Sequence, residues 1–107
     1  MEIKFQKEYL SDLYQGIVNP YKEYKSNPQL VKQYVKTINT LKGITTIEQL
    51  YQIKSLHYEK KIGNLNGVSA VYVNKQYRIL FNEMATNPED LKIDVLEIQD
   101  LSKHYEN

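Results

Sequence analysis

The sequence predicts an α+β fold, a small antiparallel sheet with an N-terminal helical hairpin packed on one face, formed as a single domain over residues 1–107. Three observations predict it. Two consecutive apolar stripes at helical spacing lie in the first 43 residues, joined by a short connection. The second half holds runs that alternate with period two and are rich in β-branched and aromatic residues. The length, 107 residues, leaves room for one core and little for a second.

Taken in order, Glu2 to Phe5 alternates polar and apolar residues and reads as a short opening strand. From Lys7 to Ile17, Leu10, Leu13, Tyr14 and Ile17 form one stripe of an amphipathic helix, which Asn19-Pro20 is expected to end. Tyr21 to Ser26 reads as polar connecting sequence. Asn27-Pro28 then supplies a capping side chain and a proline preset for the first helical position. The helix that follows places Leu30, Val31, Tyr34, Val35, Ile38 and Leu41 on one face and Lys32, Lys36 and Asn39 on the other, and Gly43 closes it. Thr45 with Glu48, or Thr46 with Gln49, makes a capping box for a short third helix covering Ile47, Leu50 and Tyr51.

The stretch from Asn64 to Phe81 reads as a β-hairpin. Val71 and Val73 share one face opposite Ala70 and Tyr72; Tyr77, Ile79 and Phe81 share one opposite Arg78 and Leu80, with Asn74-Lys75 between the strands. A third sheet run is expected from Leu91 to Ile98, followed by a tail from Asp100 to Asn107.

Composition narrows the chemistry. The chain has no cysteine, which removes disulfides, thiolate catalysis and Cys-based zinc sites. No apolar run approaches a membrane span and no signal-peptide region opens the chain, so a cytoplasmic protein without membrane contact is expected. A formal net charge of +1 speaks against a diffuse nucleic-acid-binding surface and leaves only local basic clusters. Ten tyrosines against two phenylalanines and no tryptophan are read first as half-buried packing residues with wet hydroxyls.

Arg78 is the sole arginine, and it sits inside the hairpin. Its planar fork suits a phosphate better than an ammonium does. Metal-free RNA cleavage requires a base for the 2′-hydroxyl, an acid for the departing oxygen and a cation for the phosphate. The chain offers Glu59 or His57 as base and His104, whose side chain ordinarily titrates at about 6.5, as acid. Tyr105 is suited to stacking, and Lys54, Lys60 and Lys61 to a phosphate path. Tyr72, beside Arg78 across the turn, joins the RNA-contacting set. The competing structural readings are an Arg78 ion pair with Glu97 or Glu83, and a lysine cluster that is a solvated face. Metal ligation and cofactor binding are not expected: His57 and Glu59 lack a third ligand at suitable spacing, and there is no phosphate-binding glycine loop.

Val71 to Phe81, with Leu56 to Lys60, Asn64 to Gly67, Pro28 to Ile38 and the terminal His104-Tyr105, resembles the RelE/ParE superfamily of toxins from bacterial type II toxin–antitoxin systems, and most closely its HigB-like (plasmid maintenance killer) branch. The resemblance implies a compact toxin that enters the ribosome and cuts mRNA, a metal-independent endoribonuclease. It also implies a cognate antitoxin, often of helix-turn-helix type, which neutralises the toxin and through which alone operator DNA is bound. Arg78 takes the scissile phosphate in this correspondence, His104 and Tyr105 the acid and stacking roles, and Glu59, by an ungapped count, the base. Ser69 stands where the family commonly has a large ring and Tyr72 where it has a cation. Those departures keep two alternatives in view, a ParE-like gyrase inhibitor and a catalytically weakened homologue acting as an antitoxin-binding co-repressor.

Overall fold

The computed structural model describes residues 1–60, 67–87 and 89–103. Its elements run β1 (Glu2–Phe5), α1 (Glu8–Tyr14), α2 (Lys22–Lys25), α3 (Pro28–Gly43), α4 (Glu48–Gln52), a 3-10 turn (Lys54–Leu56), β2 (Glu59–Lys60), β3 (Val68–Tyr72), β4 (Tyr77–Met84) and β5 (Val95–Lys103). The five strands form one sheet in the order β1-β5-β4-β3-β2. The pairings β2–β3, β3–β4 and β4–β5 are antiparallel, and only β1 runs parallel to its neighbour, β5. The sheet is therefore mixed at one edge, where a purely antiparallel one was expected. The long helical connection after β1 supplies the crossover that lets β5, the last strand, lie parallel beside it.

The core lies between α3 and one face of this sheet. Leu30, Tyr34, Ile38 and Leu41 of α3 are buried with Val71, Ile79, Phe81, Leu96, Ile98 and Leu101 of the strands. Asn27 caps α3 as its sequence predicts, its side-chain oxygen accepting from the Leu30 amide at 3.3 Å. The Tyr34 hydroxyl, fully buried, donates to the Leu10 carbonyl at 2.8 Å and so ties α1 to α3.

Four local expectations change. Helix α1 stops at Tyr14, before Asn19-Pro20, because Gly16 turns the chain at φ +83, a conformation glycine adopts without strain; Ile17 is left exposed. Residues 22–25, expected as connection, form the single turn α2, whose Tyr24 stacks on Tyr9 with ring centroids 6.0 Å apart. Four residues are too few to show periodicity. Neither capping box before α4 forms as expected: Ile47 is the N-cap and no side chain caps it, while Gln49 accepts from the Thr45 amide at 2.7 Å and the Thr46 amide at 3.4 Å, and Tyr51 stays 64% exposed.

The last strand begins later and ends later than its alternation suggested. Leu91 is exposed with φ +56, and Asp94 accepts from the Thr86 amide at 2.9 Å and from the Thr86 hydroxyl, which holds residues 91–94 in a loop. At the other end the supposed tail residues Asp100 to Lys103 pair with Leu80 to Tyr77. Gln99 is an extra residue in that ladder, since Leu80 faces Asp100 while Phe81 faces Ile98. Beyond Phe5 the β5 edge has no strand partner among the described residues, and Tyr9 covers it: its hydroxyl accepts from the Leu101 amide at 3.0 Å and donates to Asp100.

Candidate functional site

The hairpin is built largely as its sequence predicts, and its register decides which side chains share a face. Tyr72 faces Arg78, Val71 faces Ile79 and Ser69 faces Phe81. The turn is one residue longer than Asn74-Lys75. The Val73 amide bonds the Tyr77 carbonyl at 2.9 Å, and the Asn74 side chain accepts from the amides of Gln76 and Tyr77, both at 2.8 Å. Asn74 also donates to Gln33 of α3 at 2.9 Å, which anchors the turn to the helix.

Directly opposed residues of antiparallel strands point to the same side, and neighbours along a strand to opposite sides. Val71, Ile79 and Phe81 face the core, so Tyr72 and Arg78 belong to the other face, in one row with Ser102 of β5. Glu59 pairs with Ala70, two residues from Tyr72, and thus lies on that outer face as well, one row along. His57, just before β2, brings its ring to 4.5 Å from that of Tyr72. The left-handed backbone of His57, φ +46, makes the corner between the 3-10 turn and β2. His57, Tyr72, Arg78 and Glu59 are therefore gathered on one face from three stretches of chain.

Arg78 is half-buried, and its Nε is shielded from water without a hydrogen-bond partner among the described residues. The anticipated ion pairs do not form there. Glu83 lies on the core side of β4, five residues on, and Glu97 faces Asn82 and accepts from Gln99 at 3.2 Å. The ion pairs among the described residues, Lys4–Glu2, Lys7–Asp100 and Lys60–Glu83, leave Arg78 out. A guanidinium with a dehydrated, unpaired nitrogen is a strong donor awaiting an acceptor.

The remaining candidates divide. Lys54 is exposed and lines, with Leu50, Tyr51, Ile53, His57 and Tyr58, a depression of about 320 Å³ beside β2. Lys60 faces Ser69 and so turns to the side away from Glu59, its Nζ 3.7 Å from Glu83. Lys61, His104 and Tyr105 lie outside the described residues. Among the described residues no three His, Asp or Glu side chains gather as metal ligands.

Glu83, expected only as a possible partner of Arg78, is committed to other groups on the core side. Its side chain is 6% exposed, and it accepts from the Ser69 hydroxyl at 2.6 Å and from the Tyr58 hydroxyl. Burial first, and the Glu83 bond second, push the Tyr58 phenol well above its ordinary range. The signal was present: Glu83 follows Tyr77, Ile79 and Phe81 at period two, and a carboxylate on a buried face must find donors.

No family model matches this sequence, and no curated protein matches it closely enough to count as a relative. The fold does have a counterpart among solved structures. It is similar to a YoeB/ParE toxin from Agrobacterium tumefaciens, with a TM-score of 0.54 and 16% identity over 98% of this chain and 100% of that one. The α+β architecture, with its five-stranded mixed sheet, is shared between them.

Proposed function

We propose that this chain is the toxin of a toxin–antitoxin pair, and that it acts as a metal-independent endoribonuclease on ribosome-bound mRNA. The observation that carries the reading is Arg78: a half-buried guanidinium, unpaired among the described residues, on the outer sheet face beside an aromatic pair and a carboxylate. In this reading Arg78 holds the scissile phosphate and offsets the charge that grows on it in the transition state. Tyr72 and His57 offer ring faces to a base, and Glu59 or His57 takes the proton of the 2′-hydroxyl so that its oxygen can attack the phosphorus. His104, directly after β5, returns a proton to the departing 5′ oxygen, and Tyr105 stacks beside it. Lys54 and Lys61 attract the flanking phosphates, while Lys60 serves the strand. The likeness in fold to a YoeB/ParE toxin and the sequence resemblance to the HigB-like branch both favour this reading.

The partner in this reading is a cognate antitoxin of helix-turn-helix type, which covers the site in the resting cell and carries operator binding. The protein then works in the cytoplasm; no helix among the described residues is long and apolar enough to cross a membrane. Inducing the chain without its antitoxin and mapping mRNA 5′ ends tests the activity. New ends within translated frames are expected. Growth arrest with DNA-damage signalling and intact mRNA would favour gyrase inhibition, and the absence of any arrest would favour a co-repressor.

A further inference from the structure

The outer-face site depends on β2, which is only two residues long and lies at the edge of the sheet. Two ladder pairs, Glu59 with Ala70 and Lys60 with Ser69, attach it to β3. A strand of that length does not hold its own position. What fixes it lies on the opposite face. Tyr58 and Lys60 alternate with His57 and Glu59, and both reach the same carboxylate: Tyr58 donates its hydroxyl to Glu83 Oε2, and Lys60 Nζ stands 3.7 Å from Oε1. Ser69, the ladder partner of Lys60, donates to Oε2 at 2.6 Å.

We propose that Glu83 is a positioning residue, a clasp on the core side of β4 that sets β2, and with it His57 and Glu59, against Tyr72 and Arg78. The proposal rests on the ribonuclease reading for its catalytic consequence only; the clasp itself is a statement about the strand. One carboxylate spans three strands: it stands on β4, binds Ser69 of β3, and holds the residues on either side of Glu59. The Tyr58 ring adds shape to this hold, lying over Phe81 at 6.3 Å and meeting Tyr51 edge-on at 4.8 Å. Loss of the carboxylate frees Tyr58 and Lys60, on either side of Glu59, at once, and His57 loses its fixed approach to Tyr72. Arg78 itself is not disturbed, because it lies on the other face and near the other end of β4.

The test uses the full chain with Tyr58→Phe, Glu83→Gln and Glu83→Ala. Hydrogen exchange at the Glu59 and Lys60 amides is measured against exchange along β4, together with single-turnover and steady-state cleavage of ribosome-bound mRNA. Tyr58→Phe keeps the ring packing and removes only the hydroxyl. It is expected to speed β2 exchange while β4 stays protected, and to lower kcat about tenfold with KM unchanged, the range seen when outer-shell partners are removed. Glu83→Gln, which keeps an accepting oxygen, should recover part of what Glu83→Ala loses. Unchanged β2 protection in folded Tyr58→Phe and Glu83→Gln overturns the clasp, as does a kcat that falls only in proportion to the unfolded fraction. If the wild type cuts no mRNA, the ribonuclease reading fails, and β2 exchange alone still decides whether Glu83 holds the strand.

Discussion

Arg78 and Glu83 stand on the same strand, near its two ends and on its two faces, and the protein treats their charges in opposite ways. At about 3.3 Å per residue they are some 17 Å apart along the strand. Glu83 is nearly sealed from water and receives two hydroxyl bonds and an ammonium. Arg78 is half open, and its shielded Nε–H donates to nothing among the described residues. A buried charge that is fully partnered has its use inside the fold, whereas one kept without a partner leaves its bonding capacity for something outside. In the proposed reading the two ends of β4 thus separate structure from function within eight residues.

The broadest way to sharpen this contrast is alkaline pH, since the tyrosines belong to the packed side. Tyr24 is raised from 10.0 to about 12 by burial, and Tyr21 to about 12 chiefly by its bond to Asp12. Tyr58, Tyr9 and Tyr34 are pushed higher still, burial being the largest cause for each. Below about pH 10 these phenols are neutral in the folded and the unfolded chain alike, so their contribution is whole. Above it the unfolded chain ionises first, and stability falls as pH climbs through the folded values. Denaturant midpoints between about pH 9 and 12 should drop steeply; a flat profile would show that the hydroxyl network does not hold the fold.

Next in size is Glu83→Ala, which strands two hydroxyls and is expected to cost about 2–3 kcal/mol. In a chain of this length that lowers Tm by about 10 °C or more. Lys60→Gln should cost about 0.5 kcal/mol or less, because that ammonium is 60% exposed and its pair is weak in water. Arg78→Met comes last, with stability within about 0.5 kcal/mol of wild type, since no described bond is broken. Thermal unfolding of the three variants side by side checks the order. Equal losses at Arg78 and Glu83 would erase the distinction.

The sequence made the Arg78 end legible and the Glu83 end obscure, for physical reasons. Period-two alternation through Tyr77, Ile79 and Phe81 announces β4 and its buried face, and Asn27-Pro28 announces α3; both signals are local. A lone arginine on the opposite parity then stands out from the composition alone. The Tyr58–Glu83 bond joins residues 25 apart, and no local pattern encodes it. Strand β5 was misplaced because Leu91, Ile93 and Val95 alternate like a strand while the Asp94–Thr86 contacts hold a loop. Its extension through Lys103 was hidden by polar residues that suit a solvated tail equally well. That extension carries β5 past Arg78, with Ser102 opposite it and Lys103 opposite Tyr77, a pairing that spacing alone did not provide.

Arg78 is the residue on which the proposed activity turns, and one experiment addresses it: cleavage of ribosome-bound mRNA by wild type and Arg78→Ala at matched folded fractions. Loss of a phosphate-binding donor should lower the cleavage rate by about 10²–10³, with Tm unchanged and partial rescue by Arg78→Lys. Cleavage that continues undiminished in Arg78→Ala would contradict it.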